Sequence, residues 1–138
     1  MTAAELVAAY LSALEQADAD AVLELFAPGG VVRSPLYGPR PATDFYPELF
    51  ADTSRASLTL LGVAEGQTRQ GAALISFWFH FDWRLPSGAA APFDVVDLAE
   101  LTDDGRIATL RIVYDTVDVR PVFERETGSS WRPPTGPG

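Results

Sequence analysis

Near the N-terminus, Leu6, Tyr10 and Leu14, and then Val22, Leu25 and Phe26, recur at the three- and four-residue spacing of helical faces. Asp18-Ala19-Asp20 breaks that rhythm as a turn and helix N-cap. The spacing predicts two helices, over about 3–16 and 20–27. Pro28-Gly29-Gly30 ends the second, Val31-Val32-Arg33 reads as a short strand, and the proline-rich run from Ser34 to Pro41 reads as a loop. A short helix is expected near 42–52. Four strand-like segments follow: Ala56–Glu65, Ala72–Leu85, Phe93–Leu101 and Arg106–Arg120. Turn-rich separators lie between them, ending in Gly71, Gly88 and Gly105. Helices first and hairpin-linked strands after predict an α+β fold.

The second of these segments alternates with unusual chemistry. Phe77, Phe79, Phe81 and Trp83 fall on one face, and Ser76, Trp78, His80, Asp82 and Arg84 on the other. Either the aromatic face lines a core and the polar face is outside, or the polar face is a reactive interior. The tail from Gly128 to Gly138, rich in Gly, Ser and Pro, is expected to be flexible, with Trp131 its one large apolar residue. This leaves a single domain over residues 1–127, a size that buries a core without staples.

Composition narrows the function classes. The net charge is −9, with ten Lys and Arg scattered along the chain, which opposes binding to nucleic-acid phosphates. No cysteine is present, so disulfides, thiolate metal sites and a cysteine nucleophile are excluded, in keeping with a reducing cytoplasm. No apolar run approaches the roughly 20 residues that span a bilayer, and the first residues carry no basic leader. A cytoplasmic protein without a membrane partner is expected.

The run from Tyr10 to Ala27, followed by Val31-Val32-Arg33-Ser34-Pro35 and Gly38, resembles the opening of the nuclear transport factor two superfamily. That superfamily includes ketosteroid isomerases, SnoaL-like polyketide cyclases, scytalone dehydratases and limonene epoxide hydrolases. The resemblance continues to Asp115 and implies a cone-shaped α+β barrel, its N-terminal helices packed on a curved antiparallel sheet around an apolar pocket. Similarity to the isomerases puts Tyr10 and Asp97 on their oxyanion-hole tyrosine and aspartate, and Tyr46 on a further tyrosine of the same hydrogen-bond network. Ser34 stands where the isomerases carry the proton-moving aspartate, and a serine hydroxyl does not accept a proton at neutral pH. The strand environment of Asp97, with Val95, Ala99 and Leu101 on its own face, should desolvate the carboxylate and raise its pKa.

The last strand is similar to that of SnoaL-like cyclases and limonene epoxide hydrolases, in which an aspartate in the position of Asp115 is the catalytic acid or base. Counting back from Gly88, the epoxide hydrolase's Arg and second Asp fall on His80 and Asp82, so a histidine replaces the arginine. A histidine between carboxylates is a workable proton shuttle near neutral pH, and this count favours His80 facing inward. The isomerase-like register instead turns Leu110, Ile112 and Tyr114 into the pocket and Asp115 out, unless a bulge rotates the strand end.

Asp115, His80, Asp97, Tyr10 and Asp82 are therefore the candidate catalytic residues, and Ser34, Tyr37, Tyr46, Trp78 and Tyr114 the candidate substrate contacts, with Arg33 and Arg40 at a possible rim. The resemblance implies an enzyme that needs neither cofactor nor metal and acts by acid–base chemistry on a hydrophobic oxygenated molecule such as a polyketide or terpenoid intermediate. A symmetric homodimer is expected, because whichever face of the aromatic strand is outside is too apolar for water. The rival reading is a non-catalytic binding or dimer-scaffold module, for which Ser34 in the base position speaks.

Overall fold

The computed structural model describes residues 1–134; residues 135–138, the end of the expected flexible tail, lie outside the described residues. In chain order the elements are α1 (Ala3–Glu15), α2 (Ala19–Leu23), β1 (Phe26–Ser34), β2 (Gly38–Pro41), α3 (Ala42–Ala51), β3 (Arg55–Gln67), β4 (Ala73–Arg84), β5 (Phe93–Leu101), β6 (Ile107–Val113) and α4 (Val119–Thr127). This is an α+β fold. The six strands form one curved sheet in the order β2-β1-β6-β5-β4-β3, open at both edges rather than closed into a barrel. All neighbours are antiparallel except β1 and β6, which run parallel.

α1 starts at a reciprocal cap: the Glu5 N–H donates to Thr2 Oγ1 at 3.1 Å, and the Thr2 N–H to Glu5 Oε1 at 2.9 Å. Its Leu6, Val7, Tyr10, Leu11 and Leu14 are buried, the expected apolar stripe turned onto the sheet. At its far end Glu15 Oε2 accepts from the Leu58 N–H at 2.8 Å and so ties α1 to β3, whose outer edge has no strand partner. Asp18 caps α2 by accepting from the Ala21 N–H.

Gly38–Pro41, expected as part of a loop, pairs with β1 as the short strand β2, and two boundaries also differ from the sequence expectation. α2 stops at Leu23 and Phe26 opens β1, because Phe26 pairs with Ile107 and its ring packs into the core against Tyr46 at a centroid distance of 5.7 Å. The last strand ends at Val113, and the stretch expected to continue it to Arg120 instead turns and enters α4. Val119, Val122 and Phe123 carry helical spacing there, and Gly128, at φ 94°, ends the helix in the left-handed conformation that favours glycine.

The described part of the tail is tied down. The Trp131 N–H donates to Leu36 O at 2.9 Å, and Arg120 Nη1 donates to Ser130 Oγ at 2.6 Å and to Trp131 O at 2.7 Å. The indole lies over Gly38, where a Cβ would stand 2.6 Å from Trp131 Cδ1. Only a glycine fits there, at φ 75°.

The core fills the space between the helices and the concave face of the sheet. Phe77, Phe79, Phe81 and Trp83 of β4, Val95, Asp97 and Ala99 of β5, and Leu110 of β6 are buried on that face. The aromatic face of β4 is thus the inner one.

Candidate active site

A cavity opens within this core, lined by residues that include Tyr10 and Leu14 of α1, Ser34 of β1, Tyr37, Phe45 and Leu49 around α3, Phe79, Phe81 and Trp83 of β4, Val95 and Asp97 of β5, and Ile112 and Tyr114. The open volume of the cavity is about 40 Å³. That is room for a few waters, each of which needs about 10–15 Å³.

Asp97 is the one buried carboxylate among the described residues, at 1% exposure. The ladder explains its surroundings. Phe77 and Ile112 are its cross-strand partners, and Val95 and Ala99 its neighbours on the same face, so all four positions around the carboxyl are apolar. Oδ1 has no hydrogen-bond partner among the described residues. Burial without a compensating donor pushes Asp97 well above the ordinary carboxylate range and favours the neutral acid, which can donate.

Tyr10 reaches the same place from the helical side. Its ring meets Phe77, the cross-strand partner of Asp97, edge-on at 5.6 Å. Its hydroxyl is hydrogen-bonded to that of Tyr46 at 2.9 Å, with both rings buried. Burial drives both phenols well above their usual value, and the Asp97 carboxyl adds to the rise, so each keeps its proton. Tyr10 lines the cavity and Tyr46 stands behind it. With Tyr46 donating to Tyr10, the Tyr10 proton is free for a ligand oxygen.

Ser34 Oγ accepts from the N–H groups of Leu36 and Tyr37, both at 3.2 Å, and holds the turn after β1. Its acceptor capacity is used by the backbone, and its own O–H remains as a donor on the cavity wall. Tyr37 donates its hydroxyl to Asp52 Oδ2 at 2.7 Å, away from the cavity, while its ring forms part of the wall. Tyr114 stacks on Phe93 at 4.1 Å, and desolvation raises its phenol.

Four sequence candidates lie elsewhere. His80 is on the convex face of β4, where its Nδ1 meets Asp94 Oδ1, its cross-strand neighbour, at 2.7 Å. Asp82 and Trp78 share that outer face by strand alternation, and Trp78 is 47% exposed. The expectation of an inward His80 fails because the aromatic row of β4 outweighs the polar row for the core. Asp115 is exposed; no bulge rotates the end of β6, and its Oδ1 accepts from the Val117 N–H at 3.0 Å in a turn leading to α4. The Asp-His-Asp constellation is therefore not assembled in the cavity of a single chain.

Sequence reasoning missed the far wall. Trp83 donates its Nε1–H to Thr53 Oγ1 at 2.8 Å, and Phe123 of α4 packs on Trp83 and Tyr37 with centroids 5.7 and 5.2 Å away. The spacing of Val119, Val122 and Phe123 ahead of Gly128 was the available signal.

The model of the SnoaL-like domain matches residues 7–110 of this chain. The chain belongs to the SnoaL-like family. No curated protein matches it. Among solved structures, the SnoaL-like fold here is similar to TerC co-crystallized with polyporic acid, at 16% identity and a TM-score of 0.72, covering 88% of this chain and 98% of that one. SalBIII, an epoxide hydrolase/cyclase-like enzyme with a role in pyran ring formation in the polyether salinomycin, aligns at 17% identity and a TM-score of 0.67, covering 84% and 92%. An NTF2-like protein of unknown function from an Exiguobacterium species aligns at 18% identity and a TM-score of 0.65, covering 80% and 98%. At these identities the likeness establishes the fold. No helix among the described residues is long and apolar enough to cross a membrane.

Proposed function

We propose that this SnoaL-like protein is a cofactor-independent enzyme that isomerises or cyclises a hydrophobic, oxygen-bearing small molecule of polyketide or terpenoid type. One observation carries the reading: a fully buried carboxyl group, with an oxygen unpartnered among the described residues, lines a largely apolar cavity that the buried Tyr10 lines as well. Such a site offers proton donors to an oxygen that gains negative charge, in surroundings where each donor counts for more than in water.

The cavity wall also limits the reaction. Its polar side chains are hydroxyls, the indole N–H of Trp83 and Asp97, with no histidine, lysine or second carboxylate. Reactions in which one carboxyl group both gives and takes the proton fit this inventory best. In the closure of a hydroxyl onto an epoxide, the Asp97 O–H breaks as its proton passes to the epoxide oxygen and that C–O bond opens. The hydroxyl oxygen forms the new C–O bond, and its proton returns to Asp97. Tyr10, backed by Tyr46, holds the departing oxygen, and Ser34 offers a second hydrogen bond. Atoms and charge balance with no external water or base.

The test is turnover of a panel of epoxy alcohols and enones. Asp97→Asn should lower turnover by roughly a hundredfold or more and Tyr10→Phe by roughly tenfold or more, whereas His80→Gln and Asp115→Asn should leave it unchanged. Full activity of Asp97→Asn on a converted substrate would refute the reading. Conversion of nothing, with tight binding of such molecules, would favour a binding module instead.

A further inference from the structure

A ligand of polyketide or terpenoid size needs a site of roughly 300 Å³ or more, whereas the cavity has an open volume of about 40 Å³. Some part of the wall must move. The strands are held by their hydrogen-bonded ladder, but α4 joins no strand. Its hold on the rest of the fold is through side chains. Val119 and Phe123 are buried, Ser87 donates to Glu126, and Arg120 Nη2 donates to Pro35 O at 3.1 Å.

Outside this wall, between α3, α4 and the Trp131 segment, lies an open groove of about 520 Å³, lined in part by Arg40, Glu48, Asp52 and Ser130. Tyr37 is the one described residue that lines both the groove and the cavity. Its ring is wedged between Phe45 at 5.4 Å and Phe123 at 5.2 Å, and its hydroxyl is anchored on Asp52 at the groove side.

We propose that the groove is the ligand's way in, that Tyr37 is the gate, and that α4 with the segment to Trp131 is a lid latched by Arg120. The latch fastens the lid to the turn that carries the gate, since one guanidinium binds Pro35 O there and also gathers Ser130 Oγ and Trp131 O of the lid's own last segment. The Trp131 N–H on Leu36 O and the indole on Gly38 close the same seam. The pivot is the turn after β6, where Asp115 accepts from the Val117 N–H. Moving Phe123 outward releases the Tyr37 ring, and its rotation joins the 520 Å³ groove to the cavity. A ligand thus crosses a polar vestibule before it reaches the apolar chamber. The cavity as the ligand site, and with it the need for an opening, rests on the function proposed above; the α4 seam and its latch are read from the contacts alone.

The experiment follows 2-naphthol, a neutral fluorescent phenol, into the full-length protein by stopped flow. In the wild type the observed uptake rate should level off with probe concentration, because lid opening limits it. Arg120→Ala and Trp131→Ala should each raise the limiting rate by roughly tenfold or more, the scale of losing a charge-assisted hydrogen bond or its packing. Tyr37→Ala should abolish the plateau. Unchanged rates in all three variants would overturn the lid. If 2-naphthol binds none of them, the cavity reading falls, and native-state hydrogen exchange decides the lid alone. Amides of residues 120–128 should then exchange through an opening well short of global unfolding. Exchange of those amides only together with β4 and β5 would overturn it.

Discussion

The hydroxyl oxygens of Tyr10 and Tyr46 lie 2.9 Å apart in a fully buried pair, at the point where α1 and α3 meet over the sheet. Each phenol satisfies the other. Removing either hydroxyl leaves its partner desolvated and unbonded, at a cost of about 1–3 kcal/mol. Tyr10→Phe and Tyr46→Phe should therefore each lower the urea-derived unfolding free energy by about that amount. The double variant should cost clearly less than the sum, since it strands no hydroxyl. Additive losses would show that the pair is not coupled.

Asp97 makes stability depend on pH in an unusual direction. Its folded-state pKa is raised by burial, so between the unfolded value near 3.8 and the raised folded value the native state holds a proton that the unfolded state has lost. Asp97's contribution is fully present below pH 3.8 and is lost as pH rises toward the folded pKa, at up to about 1.4 kcal/mol per pH unit. Asp97→Asn should remove this slope, and its stability relative to wild type should rise with pH. Parallel stability curves for the two proteins from pH 5 to 8 would contradict the assignment.

The convex face of the sheet carries a prediction about assembly. Trp78, Val96 and Val113 are each more than a third exposed, and they are successive cross-strand neighbours on β4, β5 and β6. A patch of this kind is covered in most soluble proteins. We expect a symmetric homodimer through this face, with the His80–Asp94 pair inside or beside the interface. Trp78→Asp should give the 14.9 kDa monomer in light scattering with the cavity residues undisturbed. A wild-type monomer at micromolar concentration would remove the dimer from the account.

Legibility in the sequence followed the strength of local signals. α1 was readable because Leu6, Tyr10 and Leu14 keep an unbroken helical spacing up to the Asp18-Ala19-Asp20 turn. Asp97 was readable as a buried carboxyl because its neighbours on the same strand face, Val95, Ala99 and Leu101, are apolar. The face of β4 was not, since tryptophan and histidine on one side rival phenylalanine on the other, and only packing against α1 and α3 decides between them. α4 was hidden because Val113, Val117 and Val119 prolong an apparent alternation past the true strand end. With it went Phe123, Arg120 and the seam that holds Trp131.

The central claim is that the Asp97 carboxyl is a neutral acid in the resting protein. The direct measurement is the carboxyl carbon-13 resonance of Asp97, assigned by its loss in Asp97→Asn and followed from pH 3 to 9. The account predicts the protonated shift at pH 7, with any titration well above the ordinary carboxylate range. A carboxylate shift at pH 7, titrating near 4 like a solvent-exposed aspartate, would contradict it.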